Sequence, residues 1–304
     1  MRDTFTPSPP APPPPPAPTQ TTVLFSVPGD QLPDHLPSVD EIESSPHVLK
    51  RLDSTRCVVR VREHFVVKYG CEVDPAQGQN MIFARRYLNN LVPRVLAIYQ
   101  KTGPMLSTIT YIVMEYFHGR QLDEAWSTLD NLKRLQVVNV LRDALQLIRS
   151  IPPPNYFGGL EMTQLIDDIF YTMHPTPAKN GPFKTEKELV HGMILCYRDQ
   201  IGHRLGHRAD YFSRVLPQFL KGNGKPVFTH GDLQRKNIMI GSRGEIAILD
   251  WDLAGWYPVW WEYAIMTEGC GNWKDDWHEY IPKILDEYPN QYAWSHALRV
   301  EMWS

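Results

Sequence analysis

The sequence has no long apolar run, few cysteines and no excess of basic residues. No stretch reaches the roughly 20 apolar residues that a membrane-spanning helix needs. The four cysteines among 304 residues form no CxxC pair, which argues against a disulfide framework or zinc site and favours reduced thiols in an intracellular protein. The formal net charge of −3 provides no basic field for nucleic acid. We therefore expect a cytoplasmic protein with neither a nucleic-acid nor a membrane partner.

The first 35 residues are rich in proline, and they lack the apolar segment of a secretory signal. Because proline has no N–H donor and cannot pack a core, such a segment adopts polyproline II or stays disordered. We predict a disordered tail over residues 1–35, with the ordered chain beginning near Leu36. The composition suits the grooves of SH3-like and WW-like partner domains, although a passive tail is the simpler interpretation.

Residues 36–118 have the pattern of a small lobe made of five strands and one main helix. Ser38 begins a capping box that opens a short helix. Apolar residues at helical spacing predict the main helix over residues 77–91, between the third and fourth strands. The predicted strands are HVLKRL (47–52), CVVRV (57–61), HFVVKYG (64–70), RVLAIYQ (94–100) and TITYIVMEYF (108–117).

Residues 119–304 are mostly helical in pattern. Asp130 and Thr185 are predicted N-caps of two helices that carry apolar stripes, and further helical segments follow. The two patterns together predict a two-lobed α+β fold, with a small β-rich N-lobe and a larger, mostly helical C-lobe.

One segment of the C-lobe, VFTHGDLQRKNIMIGSRGEIAILDWD, breaks the helical pattern. Its apolar runs NIMI and EIAILD flank the turn GSRG, which is typical of a β-hairpin. Asp232 precedes the first strand, Asn237 begins it, and Asp250 ends the second strand. Since hairpin pairing brings the start of one strand beside the end of the other, we expect Asn237 and Asp250 at the same end, with Asp232 on the adjoining loop.

These three residues are of the types that phosphoryl transfer from a nucleotide requires. A carboxylate must accept the proton of the attacking hydroxyl, and Mg²⁺ must neutralise the phosphates. Mg²⁺ prefers hard oxygen ligands such as a carboxylate or an amide carbonyl. We therefore predict Asp232 as the base and Asn237 and Asp250 as metal ligands, with His230 bracing the loop by hydrogen bonds.

The same segment resembles the Brenner motif of the aminoglycoside phosphotransferase and choline kinase-like family. HGDLQRKN is similar to its catalytic loop, and ILDWDLAGWYP is similar to its metal-binding strand end. YIVMEYFHG resembles the segment joining the lobes, and VVKYG resembles the strand with the nucleotide lysine. The resemblance covers about residues 48–263, and AGWYPVWWEY with SIPPP is most similar to a fungal-type branch.

The resemblance implies a protein kinase-like fold and an ATP- or GTP-dependent, Mg²⁺-dependent kinase acting on a small-molecule acceptor. Lys68 would hold the α- and β-phosphates. The backbone of Glu115, Tyr116 and Phe117 would meet the adenine edge, and Met114 would pack behind the base.

Two departures from the family pattern leave a second hypothesis open. The helix glutamate that pairs with the nucleotide lysine in the family is replaced by Gln77, unless the helix start is shifted and Glu72 substitutes. The stretch RLDSTRCVVRVREH has no glycine, so a phosphate-covering loop would use Ser54 and Thr55. The alternative is a nucleotide-binding pseudokinase that acts as an interaction module. A protein kinase is less well supported because no A-P-E segment follows Asp250.

Two clusters near the C-terminus have alternative interpretations. Aromatic residues that follow the metal-binding strand would either form a wall for the acceptor or pack the core. Acidic residues further along would either bind an amine or lie on a solvated helix face. The aromatic cluster is Trp251, Trp256, Trp260, Trp261 and Tyr263, and the acidic cluster is Glu268, Asp275, Asp276 and Glu279.

Overall fold

The computed structural model describes residues 21–51, 53, 55–102, 107–202, 206–270, 273 and 275–303. These residues form two lobes, and a cleft lies between them. The N-lobe is one twisted antiparallel sheet with a helix on one face, and the C-lobe is mostly helical.

The N-lobe sheet has six strands in the order β1-β5-β6-β4-β3-β2. Strand β3 illustrates how the sequence favours a strand. Its buried residues Cys57, Val59 and Val61 alternate with more exposed residues at the period of two that strands require. All five strands predicted from the sequence are present. The strands are β1 (Thr21–Ser26), β2 (Val48–Arg51), β3 (Arg56–Val61), β4 (Phe65–Gly70), β5 (Val95–Thr102) and β6 (Thr108–Glu115).

Strand β1 corrects the prediction that residues 1–35 form a disordered tail. Its sequence, TTVLFS, contains no proline and pairs antiparallel with β5 at the edge of the sheet. An edge strand is hydrogen-bonded on one side only, so it can join a sheet while most of its residues stay exposed. The proline-rich residues 1–20 lie outside the described residues.

The N-lobe helices begin at the caps that their sequences provide. Helix α1 (Val39–Glu43) has the predicted capping box, in which the Ser38 hydroxyl accepts from the N–H of Glu41 and the Glu41 carboxylate accepts from the N–H of Ser38. Helix α2 (Pro75–Leu88) begins two residues before the predicted start at Gln77, because Asp74 caps it and Pro75 occupies its first turn.

The predicted N-caps of two long C-lobe helices, Asp130 and Thr185, are confirmed, since both side chains accept from the backbone three residues later. In the described part of the chain, no helix is both long and apolar enough to cross a membrane. The C-lobe helices are α3 (Leu122–Ala125), α4 (Asn131–Arg149), α5 (Pro177–Asn180), α6 (Glu186–Ile201), α7 (Gly206–Phe219), α8 (Trp261–Glu268), α9 (Ile281–Ile284) and α10 (Pro289–Trp303).

The C-lobe contains two small sheets, and the one formed by the hairpin lines the cleft. Strands β9 (Ile238–Ile240) and β10 (Ile246–Ile248) form the predicted hairpin, and β7 (Arg120–Gln121) extends it. Strand β8 (Pro226–Thr229) pairs with β11 (Gly255–Pro258), a strand that the sequence pattern did not predict.

The aromatic cluster after β10 packs the core. Trp251, Trp256, Trp260, Trp261 and Tyr263 are each at most 6% exposed. They therefore stabilise the C-lobe by burial and do not form an open wall for an acceptor.

A buried ion pair ties helix α10 to the C-lobe core, and its loss is expected to be costly. Arg299 Nη2 lies 2.8 Å from Asp167 Oδ1, and the Asp167 side chain is 2% exposed. Arg299→Met leaves this carboxylate buried without its cation, so the free energy of unfolding should fall by about 3–5 kcal/mol in urea denaturation. The matched control is Arg198→Met, which removes an exposed pair with Asp210 and should cost about 1 kcal/mol or less. Equal losses in both variants would contradict the prediction.

Candidate active site

The cleft holds a cavity of about 360 Å³ that both lobes line. Strand β4, helix α2 and the segment after β6 form its N-lobe side, and the β9–β10 hairpin forms its C-lobe side. Seven of the residues that the sequence predicted for nucleotide or metal binding line this cavity: Lys68, Met114, Glu115, Tyr116, Phe117, Asn237 and Asp250.

The hairpin register brings the two predicted metal ligands together. Ile238 of β9 pairs with Ile248 of β10, and the N–H of Leu249 donates to the carbonyl oxygen of Asn237 at 2.8 Å. Asp250 follows at once, with φ of +65°. This left-handed conformation is uncommon outside glycine but is tolerated by Asp, and it turns the chain as it leaves β10.

Asp232 is hydrogen-bonded to one residue of this pair, Asn237. Asn237 Nδ2 donates to the Asp232 carboxylate oxygen Oδ2 at 2.8 Å and to the Asp232 carbonyl oxygen at 2.8 Å. Gln234 Nε2 donates to the other carboxylate oxygen at 2.6 Å, and Lys236 Nζ lies 3.3 Å from Oδ2. Asp232 is thus held in one orientation beside Asn237, with its side chain 20% exposed. Asn237 lines the cavity, whereas Asp232 is not among its lining residues.

His230 braces the loop that carries Asp232. Its Nδ1 accepts from the N–H of Asp232 at 3.1 Å, so Nε2 is the protonated nitrogen and donates to the carbonyl oxygen of Leu249 at 2.9 Å. Gly231 between them has φ of +85°, and a Cβ there would lie 2.5 Å from the carbonyl oxygen of Leu253. The loop is therefore bound to the strand end that carries Asp250.

Glu262 is a functional residue that the sequence analysis missed. Its side chain is fully buried, and Oε2 accepts from the N–H groups of His230 at 2.7 Å and Gly231 at 3.4 Å. A single carboxylate within the apolar run VWWEYAIM is the signal that was available, because a buried charge needs specific partners. Glu262 thus fixes the loop that carries Asp232 through these two backbone N–H groups.

Asp252 is the second residue that the sequence analysis missed. Lys68 Nζ lies 2.7 Å from Asp250 Oδ1 and 2.8 Å from Asp252 Oδ2. Burial and the charge of Asp250 raise the pKa of Asp252 to about 7. Burial opposes ionisation of Asp250 as well, but the Lys68 ammonium outweighs it and lowers the pKa of that carboxyl. The D-W-D spacing was the available signal.

Neither candidate replacement for the helix glutamate contacts Lys68. Gln77 Nε2 donates to Asp250 Oδ1 at 3.3 Å, and Glu72 accepts from the hydroxyl of Thr55 at 3.0 Å. Ser54, the other residue expected in a phosphate-covering loop, lies outside the described residues.

The segment between the lobes has some of its backbone donors already engaged. The N–H of Glu115 donates to Arg94 and the N–H of Tyr116 donates to His64, at 2.9 Å and 2.8 Å. Within the described chain, the N–H of Phe117 donates to no backbone acceptor outside regular elements. Of the three expected N–H groups, Phe117 therefore supplies the one left for a nucleotide base.

Two members of the acidic cluster have cationic partners within the protein. Asp275 pairs with Arg235 at 2.6 Å, and Asp276 pairs with Arg134 at 2.7 Å. Glu268 lies 2.7 Å from His296. These contacts leave little negative charge to hold an amine, and they argue against an amine site there.

The chemistry of the donor set suits a magnesium ion. Among the residues that the structure describes, no group of three or more His, Cys, Asp or Glu side chains is arranged to hold a metal. Asp250 instead provides carboxylate oxygens, and the engaged Nδ2 of Asn237 leaves its carbonyl oxygen Oδ1 for a metal. Two hard oxygen donors, with phosphates and water completing the shell, are typical of Mg²⁺ sites in proteins.

Comparisons with known proteins give a family and a fold. A family model described as "Phosphotransferase enzyme family" matches residues 50–295. No curated protein matches the chain.

Several solved structures are similar over most of their length. The GDP complex of wild-type aminoglycoside 2'-phosphotransferase-IIIa has a TM-score of 0.55 at 12% identity, covering 84% of this chain and 83% of its own. The apo form of a thermostable mutant of aminoglycoside phosphotransferase APH(4)-Ia has a TM-score of 0.55 at 15% identity, covering 84% and 82%. A ternary complex of a thermostable mutant of aminoglycoside phosphotransferase APH(4)-Ia with ADP and hygromycin B has a TM-score of 0.52 at 14% identity. The similarity covers 87% of this chain and 96% of the other. These similarities confirm the predicted two-lobed, protein kinase-like fold.

Removing the Glu262 carboxylate should destabilise the protein through the loop above it. Glu262→Ala leaves two backbone N–H groups without their acceptor in a buried setting, so we expect the free energy of unfolding to fall by about 2–4 kcal/mol in urea denaturation. Glu262→Gln keeps one acceptor oxygen and should lose less. The control is Glu279→Ala at an exposed position, with a change of about 0.5 kcal/mol or less. A Glu262→Ala loss as small as the control would show that the loop does not depend on this carboxylate.

Proposed function

We propose that this chain, which belongs to the phosphotransferase enzyme family, moves the terminal phosphoryl group of a nucleoside triphosphate to a hydroxyl of a small molecule. The observation that carries the proposal is the hydrogen bond from Asn237 Nδ2 to the Asp232 carboxylate, because Asn237 lines the shared cavity together with Asp250. Asp232 would act as the base close to Asn237 and Asp250, which would bind the metal, and in-line phosphoryl transfer needs these groups together.

Asp232 orients the acceptor hydroxyl and takes its proton. Its carboxylate is held by Gln234 and Asn237, so it does not need to be ordered at the moment of reaction. Lys236 adds a positive charge near the same carboxylate.

Lys68 and the two metal ligands hold the phosphates. Asp250 and Asn237 Oδ1 would bind Mg²⁺, which neutralises phosphate charge when it is present. Lys68 would hold the non-reacting phosphates, since it lines the same cavity. The purine base of the nucleotide would lie against Met114 and the backbone of Phe117. ATP and GTP are both candidates because similar structures hold ADP or GDP.

A nucleotide-binding protein without transfer activity is the second candidate. The observation that favours it is Gln77, which brings no negative charge to Lys68 and contacts Asp250 instead. Thermal-shift titrations with ATP, GTP and Mg²⁺ separate the candidates when they are followed by a hydrolysis assay. Stabilisation of about 2.7 kcal/mol at a hundredfold excess over Kd is expected for either candidate, whereas slow Mg²⁺-dependent hydrolysis is expected only for the enzyme.

Asp232→Asn should remove turnover and spare nucleotide binding. The amide cannot accept the hydroxyl proton, so Mg²⁺-dependent nucleotide hydrolysis should fall by about 100-fold or more. The thermal shift with Mg²⁺ and nucleotide should stay close to that of the parent. The matched control is Asp143→Asn on the exposed surface of α4, which should keep both properties. Undiminished hydrolysis in Asp232→Asn would defeat the assignment of the base.

Asp250→Ala should remove the Mg²⁺-dependent part of nucleotide binding. With one of its two protein ligands gone, the metal no longer links the phosphates to the hairpin. The thermal shift with nucleotide alone should persist, and adding Mg²⁺ should raise it no further. An unchanged response to Mg²⁺ would count against Asp250 as a ligand.

A further inference from the structure

Lys68 lies between two carboxylates, and the contact with Asp252 is the more extensive. Nζ lies 3.0 Å and 2.8 Å from the two oxygens of Asp252, and 2.7 Å from a single oxygen of Asp250. The Lys68 side chain is only 6% exposed. A buried ammonium is costly unless it is paired, so this lysine requires an anionic partner at all times.

Helix α2 does not provide that partner. Gln77, its polar residue in the cavity, is 3% exposed and points its Nε2 at Asp250. The Oε1 atom of Gln77 is buried and has no hydrogen-bond partner in the described chain. The nearby acidic residue Glu72 is bonded to Thr55. Lys68 therefore has its negative charge from the C-lobe.

Only one of the two C-lobe carboxylates would remain available to Lys68 during the proposed reaction, because Asp250 would bind the metal. We propose that Asp252 is the positioning residue that holds the Lys68 ammonium when nucleotide is bound, in the role that a carboxylate on helix α2 would otherwise have. This inference rests on the proposed function, in which Lys68 contacts the phosphates. Asp252 acts through Lys68 and does not touch the nucleotide.

The backbone around Asp252 is anchored in a way that suits this role. Asn80 Nδ2 donates to the carbonyl oxygens of Trp251 at 2.9 Å and Ala254 at 3.4 Å, and Asn80 is 4% exposed. The indole N–H of Trp251 donates to the carbonyl oxygen of Ile248 at 3.0 Å. Helix α2 thus acts on Lys68 indirectly, since Asn80 fixes the segment that presents Asp252.

The first test separates phosphate binding from base binding. In Asp252→Asn, Lys68 loses a charged hydrogen-bonded partner, so the Kd for Mg²⁺·ATP should rise about tenfold. The Kd for adenosine, which has no phosphates, should stay within about twofold. Calorimetric titration measures both, and unchanged adenosine binding also shows that the variant is folded. If Asp252→Asn does not fold, Asp252→Glu replaces it, because moving the charge by one methylene should weaken ATP and spare adenosine.

The second test adds a negative charge to helix α2, where the family has a glutamate. Gln77→Glu places a carboxylate beside the atom that Lys68 and Gln77 now share, Asp250 Oδ1. In the Asp252→Asn background, this change should restore ATP affinity to within about threefold of the parent. In the parent background, it adds a third carboxylate around one ammonium and should weaken ATP binding. The matched control is Gln79→Glu, an exposed position on the same helix, which should restore nothing.

The outcomes distinguish this inference from the proposed function. If the parent protein binds no Mg²⁺·ATP, the proposed function fails, and the inference fails with it. If the parent binds but Asp252→Asn binds ATP equally well, only the inference fails. If the loss in Asp252→Asn disappears at high Mg²⁺ and Gln77→Glu does not reverse it, Asp252 is a second metal ligand and the positioning role is wrong.

Discussion

The pairing of β9 with β10 is the constraint on which the candidate site depends. Their register places Asn237 opposite Leu249, so Asn237 and Asp250, the two proposed metal ligands, lie at the same end of a short hairpin. A slip of one residue would turn every side chain of a strand to the opposite face. The buried Ile238 and Ile248 oppose such a slip, because it would remove their side chains from the hydrophobic core that they pack.

Buried polar contacts then join this hairpin to the rest of the C-lobe and to helix α2 of the N-lobe. Glu262 holds the loop before β9 through backbone N–H groups, and His230 links that loop to the end of β10. Asn80 makes the corresponding link from helix α2 to the segment after β10. Each of these three side chains has a backbone partner, and its loss would leave a donor or acceptor unpaired in a low-dielectric setting. The site is therefore held from three sides.

Gln77 stands where the family has a glutamate, and other carboxylates of the same site supply the negative charge to Lys68. The ammonium of Lys68 bridges the lobes to Asp250 and Asp252, which are more than 180 residues away in sequence. Charge that the family places on a helix of the N-lobe is supplied here by the C-lobe. The electrostatic requirement of the lysine is thus met, although the element that meets it is different, and the sequence motif alone does not reveal this exchange.

Local sequence determined the elements whose causes are local. The valine-rich strands, the caps Ser38, Asp130 and Thr185, and the hairpin with its end residues all follow from alternation, capping and turn chemistry that act over a few residues. Strand β1, the role of Glu262 and the pairing of Lys68 with Asp252 were decided by tertiary structure. The partners of these residues are distant in the chain, so the residue types alone do not reveal them. An edge strand forms only where a neighbouring strand offers hydrogen bonds, and a buried carboxylate is stable only beside the groups that bond to it.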